Sequence, residues 1–417
     1  MTNVKDRAIF TNAFSYDPYK RIDSQLLPPT VSLCQVEMYN NALQYLDIKC
    51  DAGLTTEIIK RATERCSLIH STFIVLAQSS SYAKLVDKSL LSKTFNGMIQ
   101  SYGAEATWRL RRHESSFVVD DDNPRFGKSG TRSVLKERAA LAQLEPLFAQ
   151  LRGRVDLQNP ECDIYLLEGL SSTTETSSTL IKILTRRLAE GAYHSKIAPK
   201  TRICITRTPL CSIAAYLLCN IALIQENQTI LDPFAGSATT LLAATLISPS
   251  VRTVGVEIDE FISRSSIRDD FSSRGAAEPV ALLQGDIMDC SMRDNARAAI
   301  GDMAFDVIIT DPPYGRREAM SGAGVGNDKL ALNDLIDAIG HDRCSGKPLL
   351  RPGGRLVAFI LCPKDSNVLD LLPSEQLLSY AGLELLEKRE QKLNDSSRWV
   401  VSFLSLPSPN KLINQMK

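Results

Sequence analysis

Short apolar runs alternate with amphipathic stretches along the second half of the chain. Between the runs lie segments whose apolar residues have the spacing of a helix, at Thr239–Ile247, 327–339 and 372–381. Strands that alternate with helices are typical of a doubly wound parallel sheet. The pattern therefore predicts an α/β fold with a mostly parallel seven-stranded sheet whose last strand is antiparallel. The predicted strands are 229–231, 252–256, 279–283, 305–309, 350–360, 383–392 and 399–404.

The first part of the chain follows a less regular pattern. Phe73–Ala77 has the composition of a strand, and Tyr82–Ser101 has helical spacing. Trp108–His113 alternates basic with apolar side chains, which also favours a strand. We therefore predict a mixed α+β region over residues 1–170.

A polar, low-complexity stretch separates the two parts. Ser171–Thr179 consists almost entirely of serine and threonine, which have little capacity to pack, and helical spacing follows at Leu180–Leu188. These features predict a linker with a connecting helix over residues 171–200. A second domain then occupies residues 201–417, and a chain of 417 residues can bury two separate cores.

Composition narrows the class of protein only a little. Charge is balanced, with 48 basic and 48 acidic side chains, so RNA binding would depend on shape and local patches. The ten cysteines contain no CxxC pair, and we predict no metal site. The sequence shows neither the apolar core of a secretory signal nor a run of about 20 apolar residues that would cross a membrane. We therefore expect a cytoplasmic protein without membrane association.

The most informative motif is Asp311-Pro312-Pro313-Tyr314, directly after the strand predicted at 305–309. Two prolines fix φ and remove two backbone donors, so carbonyl oxygens nearby have no helical partners. These carbonyls and the Asp311 carboxylate can accept hydrogen bonds from an exocyclic amino group, while the tyrosine ring stacks on the base that carries it. Methyl transfer to an amino nitrogen requires this arrangement. Taken alone, the tetrapeptide is also compatible with a plain proline-rich turn.

Small and acidic residues follow three other predicted strands. A small-residue turn before a helix lets a ligand approach the backbone N–H groups of the helix N-terminus. Glu257 and Ile258 follow the second strand, where doubly wound folds bind ribose hydroxyls. Asp286 and Ile287 follow the third, where a carboxylate can face an adenine amino group. We therefore expect one crevice to bind both a nucleotide-like cofactor and a base. The turn after the first strand contributes Asp232, Phe234, Ala235, Gly236 and Ser237.

Together these motifs resemble S-adenosylmethionine-dependent amino-methyltransferases that act on nucleic acid. The form Asp-Pro-Pro-Tyr-Gly-x-Arg-Glu, which ends at Glu318, is most similar to the tRNA guanine N2-methyltransferases with a THUMP domain. Within these, the eukaryotic and archaeal enzymes that modify guanosine 10 are the closest match. The resemblance is good over residues 201–318, plausible to about residue 405 and weak over 153–168.

The resemblance implies a fold, a reaction and partners. It implies a Rossmann-like S-adenosylmethionine-dependent methyltransferase domain preceded by a THUMP-like RNA-binding domain. The implied reaction transfers the methyl group of S-adenosylmethionine to the N2 amino group of a guanosine in tRNA. Members of the family often work with a small zinc-binding activator subunit, so a heterodimer is expected.

The resemblance also implies a role for individual residues. Asp232 and the turn 234–237 would hold the methionine end of the cofactor, Glu257 the ribose and Asp286 the adenine. Thr206 opens a segment that aligns with a family segment beside the cofactor. Asp311 and the Pro312 carbonyl would accept hydrogen bonds from the guanine N2 amino group, with the base stacked on Tyr314.

Four arginines are candidate RNA contacts. Arg109 and Arg111 lie on one face of the strand predicted at 108–113, where phosphate contact competes with a solvated edge strand as the interpretation. Arg316 and Arg317 follow the tyrosine of the motif, and a surface salt bridge is the alternative for Arg316. Ala238 departs from the family pattern, which has a second glycine there; at a positive φ we expect alanine to narrow the pocket and weaken cofactor binding.

Two classes of alternative remain open from the sequence. A DNA amino-methyltransferase, or one acting on another RNA, would use similar chemistry. A non-catalytic RNA-binding or scaffold subunit with a relic site is the second, against which the intact Asp232, Glu257, Asp311 and Tyr314 argue. Binding of S-adenosylmethionine discriminates between these classes.

Overall fold

A computed structural model gives the architecture of the chain. Its described residues fall into two compact units, residues 1–192 and 193–417, each with its own sheet. Within the described part of the chain, no helix is long and apolar enough to span a membrane. The described residues are 7–12, 35–39, 45–49, 56–66, 69–103, 105–114, 134–171, 180–192, 194–206, 209–313, 331–364, 366–392 and 396–407.

The first unit contains a mixed sheet with strand order β2-β3-β1-β4-β7-β6-β5. All its strand pairs are antiparallel except β5 with β6 at one edge. Its strands are β1 (Arg7–Asn12), β2 (Gln35–Tyr39), β3 (Tyr45–Lys49), β4 (Ile69–Ser79), β5 (Trp108–Glu114), β6 (Cys162–Ser171) and β7 (Leu180–Glu190). Its helices are α1 (Thr56–Arg65), α2 (Tyr82–Leu91), α3 (Lys93–Tyr102), α4 (Val134–Gln143) and α5 (Glu145–Phe148).

The helix predicted between the domains is wrong, because Leu180–Glu190 is strand β7 in the interior of the first sheet. Its neighbours are β4 and β6, so apolar residues are buried on both of its faces. Ile183 packs in one core cluster and Leu184 in another. A central strand with two apolar faces shows the same close spacing of apolar residues as a buried helix, which explains the error.

The single helix predicted at 82–101 is divided in two at Ser92. Ser92 ends α2, and its hydroxyl accepts a hydrogen bond from the Phe95 backbone N–H at the start of α3. A serine with extended backbone conformation is a strong N-cap, so a new helix begins there. The strand predicted at 108–113 is confirmed as β5, and β5 is an edge strand.

The second unit has the predicted seven-stranded, mostly parallel sheet. Its order is β10-β9-β8-β11-β12-β14-β13, with β14 antiparallel to both of its neighbours. Its strands are β8 (Thr229–Asp232), β9 (Arg252–Glu257), β10 (Ala281–Gln284), β11 (Phe305–Thr310), β12 (Leu350–Pro363), β13 (Leu383–Lys392) and β14 (Ser396–Ser405). Its helices are α6 (Ser212–Ile221), α7 (Thr239–Ile247), α8 (Arg264–Ser272), α9 (Cys290–Ala298), α10 (Ala331–Cys344), α11 (Val368–Leu371) and α12 (Glu375–Ala381).

The strand order of the second sheet reverses direction at β8. The chain runs from β8 outward through β9 and β10, then returns to the other side of β8 as β11. Ile308 of β11 pairs with Leu231 of β8, so the carboxyl ends of the two strands lie side by side. Loops leave such a switch point in opposite directions and open a crevice, which is where doubly wound folds bind ligands. The buried strands below it supply a rigid base for the site.

Candidate active site

The carboxylate of Asp232 connects the two strands at the switch point. Asp232 is 1% exposed, and its Oδ1 accepts hydrogen bonds from the Phe234 backbone N–H (3.1 Å) and the Thr310 hydroxyl (2.9 Å). Its Oδ2 accepts a hydrogen bond from the Thr240 hydroxyl in the first turn of α7. Asp232 therefore links the turn after β8, the start of α7 and the residue immediately before Asp311.

All three hydrogen-bond donors to Asp232 are neutral groups. Burial raises the pKa of its carboxyl to about 7, the hydrogen bonds from Thr240, Phe234 and Thr310 oppose this rise, and the charge of Asp311 adds to it. A buried carboxylate without a cation favours its protonated form. Asp232 thus lies beneath the predicted cofactor turn and accepts hydrogen bonds from three described groups of the same unit.

The turn between β8 and α7 has two residues in the left-handed region. Gly236 has φ +52°, and Ala238, the N-cap residue of α7, has φ +57°. The Ala235 N–H donates to the Val256 carbonyl (2.9 Å) and the Ala238 N–H to the Ala235 carbonyl (2.7 Å). Ala238 thus has the positive φ at which we expect alanine to weaken cofactor binding, although its methyl group is fully buried.

Glu257, at the end of β9, fixes the same turn from the other side. Its Oε2 accepts a hydrogen bond from the Gly236 N–H at 2.6 Å, and its Oε1 accepts one from the Asp259 N–H at 2.8 Å. Each oxygen of an ionised carboxylate has a second lone pair, so two hydroxyl donors can still bind. The carboxylate is half-buried at the crevice, where the ribose diol is predicted.

An open cleft lies between the turn after β8 and the ends of β9 and β10. At Gly255, an added Cβ would lie 3.0 Å from Ala235 and 3.1 Å from Leu241 and Leu282, so a larger residue would require these neighbours to shift by a few tenths of an ångström. Apolar side chains and the carboxylates of Glu257 and Asp259, beside the turn after β8, fit the adenosine end of S-adenosylmethionine. The cleft is lined by Ala235, Gly236, Gly255, Glu257, Asp259, Ile262, Arg264, Ile267, Leu282, Leu283 and Gln284.

The other predicted cofactor residues differ in their accessibility. Ile258 is 60% exposed beside Glu257, whereas Ile287 is 1% exposed and packs in the core. Oδ1 of Asp286 accepts a hydrogen bond from the Met288 N–H at 2.9 Å, and the residue is half-buried. Phe234 is also partly buried and packs against the same core. Of these residues, Glu257 lines the cleft, Ile258 is exposed next to it in the chain, and Ile287 packs in the core.

The structure adds a buried ion pair that the sequence analysis missed. The Arg202 guanidinium donates to Asp270 of α8 (Nε to Oδ2, 2.9 Å), to the Thr239 hydroxyl (2.9 Å) and to the Ser237 carbonyl. Asp270 also accepts hydrogen bonds from the backbone N–H groups of Ile203 (2.7 Å) and Cys204 (2.9 Å). No local motif marks this pair, because its members are far apart in the chain.

Thr206 lies at the end of the segment that Asp270 holds. A Cβ added at Gly236 would lie 3.6 Å from Thr206 Cγ2, so the threonine side chain flanks the predicted cofactor turn. The structure thus places the Thr206 side chain beside the turn that is predicted to bind the cofactor. Its contact with the cofactor remains a prediction.

The catalytic motif is described only at its start. Asp311 and Pro313 are half-buried and Pro312 is buried, directly after Thr310 at the end of β11. Tyr314, Arg316 and Arg317 lie outside the described residues. Since Thr310 donates to Asp232, the backbone that enters the motif is anchored to the turn that is predicted to bind the cofactor.

The two arginines predicted to contact RNA on β5 have different surroundings. Arg109 is buried, and its guanidinium donates to both carboxylate oxygens of Asp163 (2.9 and 2.7 Å) and to the Leu157 carbonyl. The side chain of Arg111 is 43% exposed, with Nε 4.0 Å from Asp163 and its guanidinium 5.9 Å from the centre of the Tyr165 ring. The structure thus offers Arg111, rather than Arg109, to a ligand on this face.

The chain is similar to several known proteins. Residues 199–330 match the family model of the RMKL-like methyltransferase domain, UPF0020. The tRNA (guanine(10)-N(2))-methyltransferase of Xenopus laevis is 23% identical over 365 residues, which cover 81% of this chain and 72% of that protein. The tRNA (guanine(10)-N2)-dimethyltransferase of Methanothermobacter thermautotrophicus is 29% identical over 188 residues, 43% of this chain and 51% of that protein. The crystal structure of TrmN from Thermus thermophilus aligns over 96% of this chain and all of that one, with TM-score 0.45 and 16% identity.

Proposed function

Residues 199–330 are a methyltransferase domain of this family, and from this premise we propose that the protein methylates tRNA. The reaction transfers a methyl group from S-adenosylmethionine to the exocyclic N2 amino group of a guanosine, at position 10. The observation that carries the proposal is the anchoring of Asp311 beside the cofactor turn through Thr310 and Asp232. Relatives named as tRNA (guanine(10)-N2)-methyltransferases support the choice of nucleotide.

Some residues of the crevice bind the cofactor, and others position the target base. S-adenosylmethionine supplies an activated methyl group on a sulfonium, so the protein needs mainly to position and desolvate the reacting atoms. Glu257 and the N-terminal turn of α7 bind the cofactor, and Asp286 binds the adenine. Asp311 and the Pro312 carbonyl accept hydrogen bonds from the guanine N2 amino group, which holds its nitrogen toward the methyl. Tyr314 stacks on the extruded base, a contact worth roughly 1–3 kcal/mol.

The direct test uses unmodified tRNA and labelled S-adenosylmethionine, followed by nucleoside analysis. We expect N2-methylguanosine, and Asp311→Ala should reduce its formation on the order of a hundredfold or more while cofactor binding is retained. Asp334→Ala on α10 is the matched control, since it removes an exposed carboxylate in the same unit. Cofactor binding without methylated tRNA would indicate a DNA or another RNA substrate. Absence of cofactor binding would favour the scaffold alternative.

The number of methyl groups transferred is a second result of the same experiment. The archaeal relative is named a dimethyltransferase and the Xenopus laevis relative a methyltransferase. Nucleoside analysis separates N2-methylguanosine from N2,N2-dimethylguanosine. We propose that the monomethylated nucleoside is the product, and accumulation of the dimethylated one would contradict this.

The basic face of the first unit is the proposed RNA contact. Arg109, Arg111 and Arg187 surround Asp163, at 2.7, 4.0 and 2.9 Å, and Arg187 also pairs with Glu190. Three guanidinium groups thus face two carboxylates, which leaves positive charge beside an exposed arginine. Phosphate groups bind such local patches even when the whole chain is neutral.

Arg111→Gln tests this contact. We expect weaker tRNA binding, by about 1 kcal/mol, and a salt dependence reduced by about one released counterion. Arg268→Gln is a suitable control, because Arg268 is similarly exposed (40%) and pairs with Glu278 in the methyltransferase unit. Equal salt dependence in the wild type and Arg111→Gln would exclude Arg111 as a phosphate contact.

A small zinc-binding activator subunit is the proposed protein partner. Strand β10 is an edge of the second sheet, and Val280 just before it is 43% exposed. Exposed edge strands readily pair with another chain, so this edge supports the partner's docking there. Co-expression should yield a stable complex that Val280→Glu weakens; recovery of both proteins separately would argue against the partner. We also propose a cytoplasmic location.

A further inference from the structure

The buried Arg202 guanidinium is satisfied by groups from three separate parts of the second unit. It donates to Asp270 of α8, to the Thr239 hydroxyl at the start of α7 and to the Ser237 carbonyl in the turn after β8. The side chains of Arg202 and Asp270 are 2% and 0% exposed. Burying an ion pair is costly unless its hydrogen bonds are complete, so this geometry restricts how the three parts can move.

Two features of the predicted cofactor site depend on this contact. The Ser237 carbonyl and Thr239 lie on either side of Ala238, whose left-handed conformation sets the direction in which α7 leaves the turn. Asp270 also binds the N–H groups of Ile203 and Cys204, which fixes the segment that ends at Thr206. Arg202 therefore holds both the turn and the segment beside it.

We propose that Arg202, with Asp270 as its counterion, is a positioning residue that pre-organises the cofactor turn for binding S-adenosylmethionine. This inference rests on the proposed function only in naming the cofactor. The guanidinium lies behind the turn, and through Ser237 and Thr239 it keeps the first turn of α7 in the orientation that binding requires. A turn ordered before binding loses less conformational entropy when the ligand arrives, and the affinity is higher for that reason.

Arg202→Lys is the first variant to measure, because it keeps the charge but loses the planar fork that reaches three acceptors. Arg297→Lys is its matched control: Arg297 is equally buried, donates to Asp342 (2.7 Å) and Asp294 (2.6 Å), and belongs to α9. We expect Arg202→Lys to weaken S-adenosylmethionine binding about tenfold in calorimetry, with Arg297→Lys within about twofold of the wild type. The midpoint temperature of thermal unfolding, measured without cofactor, should decrease in both variants.

Amide hydrogen exchange without cofactor separates positioning from general stability. Exchange over residues 234–245 should accelerate in Arg202→Lys and stay unchanged in Arg297→Lys. If Arg202→Lys does not fold, variants of Thr239 provide the test, because Thr239→Val removes one acceptor of the guanidinium and Thr239→Ser keeps it. Weaker cofactor binding in the valine variant, with wild-type affinity in the serine variant, would support the proposal. Equal cofactor affinity and equal exchange in Arg202→Lys and the wild type would overturn it. A wild type that does not bind S-adenosylmethionine would instead overturn the proposed function.

Discussion

Two buried aspartates hold the turn after β8 from opposite ends, and they differ in the charge of their partners. Asp232, at the start of the turn, accepts hydrogen bonds from one backbone N–H and two hydroxyls. Asp270, behind its end, binds the guanidinium groups of Arg202 and Arg274 and two backbone N–H groups. Both carboxyls are nearly inaccessible, so burial alone does not decide their protonation.

The two pKa values move in opposite directions for this reason. Burial raises the pKa of Asp232 to about 7, and its neutral donors only partly oppose the rise. Burial acts in the same sense on Asp270, but the Ile203 and Cys204 N–H groups and Arg202 outweigh it and lower the pKa. Two backbone N–H groups and a cation thus keep the carboxylate of Asp270 ionised, whereas that of Asp232, beneath the predicted cofactor turn, can exchange a proton near neutral pH.

Asp270→Asn should have the largest effect, because it leaves the Arg202 charge buried without a counterion. We expect a loss of about 3–5 kcal/mol in the free energy of unfolding, measured in denaturant without cofactor. Asp294→Asn is the control, since Asp294 also pairs with a buried arginine but is itself 45% exposed. Similar losses in the two variants would mean that burial of the carboxylate is not what makes the Arg202 pair costly to break.

Asp232→Asn should change the pH dependence of stability. The folded pKa of Asp232 is raised, so the wild type gains stability from the bound proton below about pH 4 and loses it as pH rises through about 7. The asparagine variant has no such proton, and its amide can donate to Thr240 while its oxygen accepts from Phe234 and Thr310. Relative to the wild type, Asp232→Asn should therefore become more stable as pH rises, by a few kcal/mol at about 1.4 kcal/mol per pKa unit.

The measurement is the difference in unfolding free energy between Asp232→Asn and the wild type at pH 5 and pH 8.5. The stability contributed by Asp270 has the opposite pH dependence. Its pKa is lowered, so its contribution to the free energy of unfolding is present above about pH 4 and is lost as pH falls. A difference for Asp232→Asn that stays constant across this range would show that Asp232 is ionised throughout, as Asp270 is.

The sequence predicted the strand ends at the site, because this information is local. Asp232, Glu257, Asp286 and Asp311 each follow a short apolar run, and such runs form the buried strands of a parallel sheet. In a parallel sheet, the carboxyl ends of the strands lie along the same edge. These side chains therefore meet at one edge whatever the details of packing.

The supports of the site were not predicted, because their partners depend on tertiary packing. Arg202 meets Asp270 only once α8 packs beside the segment that follows Arg202. Likewise, the burial of Arg109 depends on Asp163, which the parallel pairing of β5 with β6 places opposite it. A lone arginine in the sequence carries no sign of which carboxylate will neutralise it, so its exposure cannot be deduced from local pattern.

Ala238→Gly should have the smallest effect, and it tests the strained position between the two supports. A left-handed conformation costs alanine about 1–2 kcal/mol, while loss of its buried methyl group costs about 0.8 kcal/mol. We therefore expect a gain in unfolding free energy of less than about 1 kcal/mol. Gly236→Ala is the mirror experiment at φ +52°, where the added methyl would lie 3.6 Å from Thr206 Cγ2 and a loss of about 1 kcal/mol should follow. If Ala238→Gly unfolds at a lower denaturant concentration than the wild type, packing of the methyl group, rather than backbone conformation, determines the residue at this position.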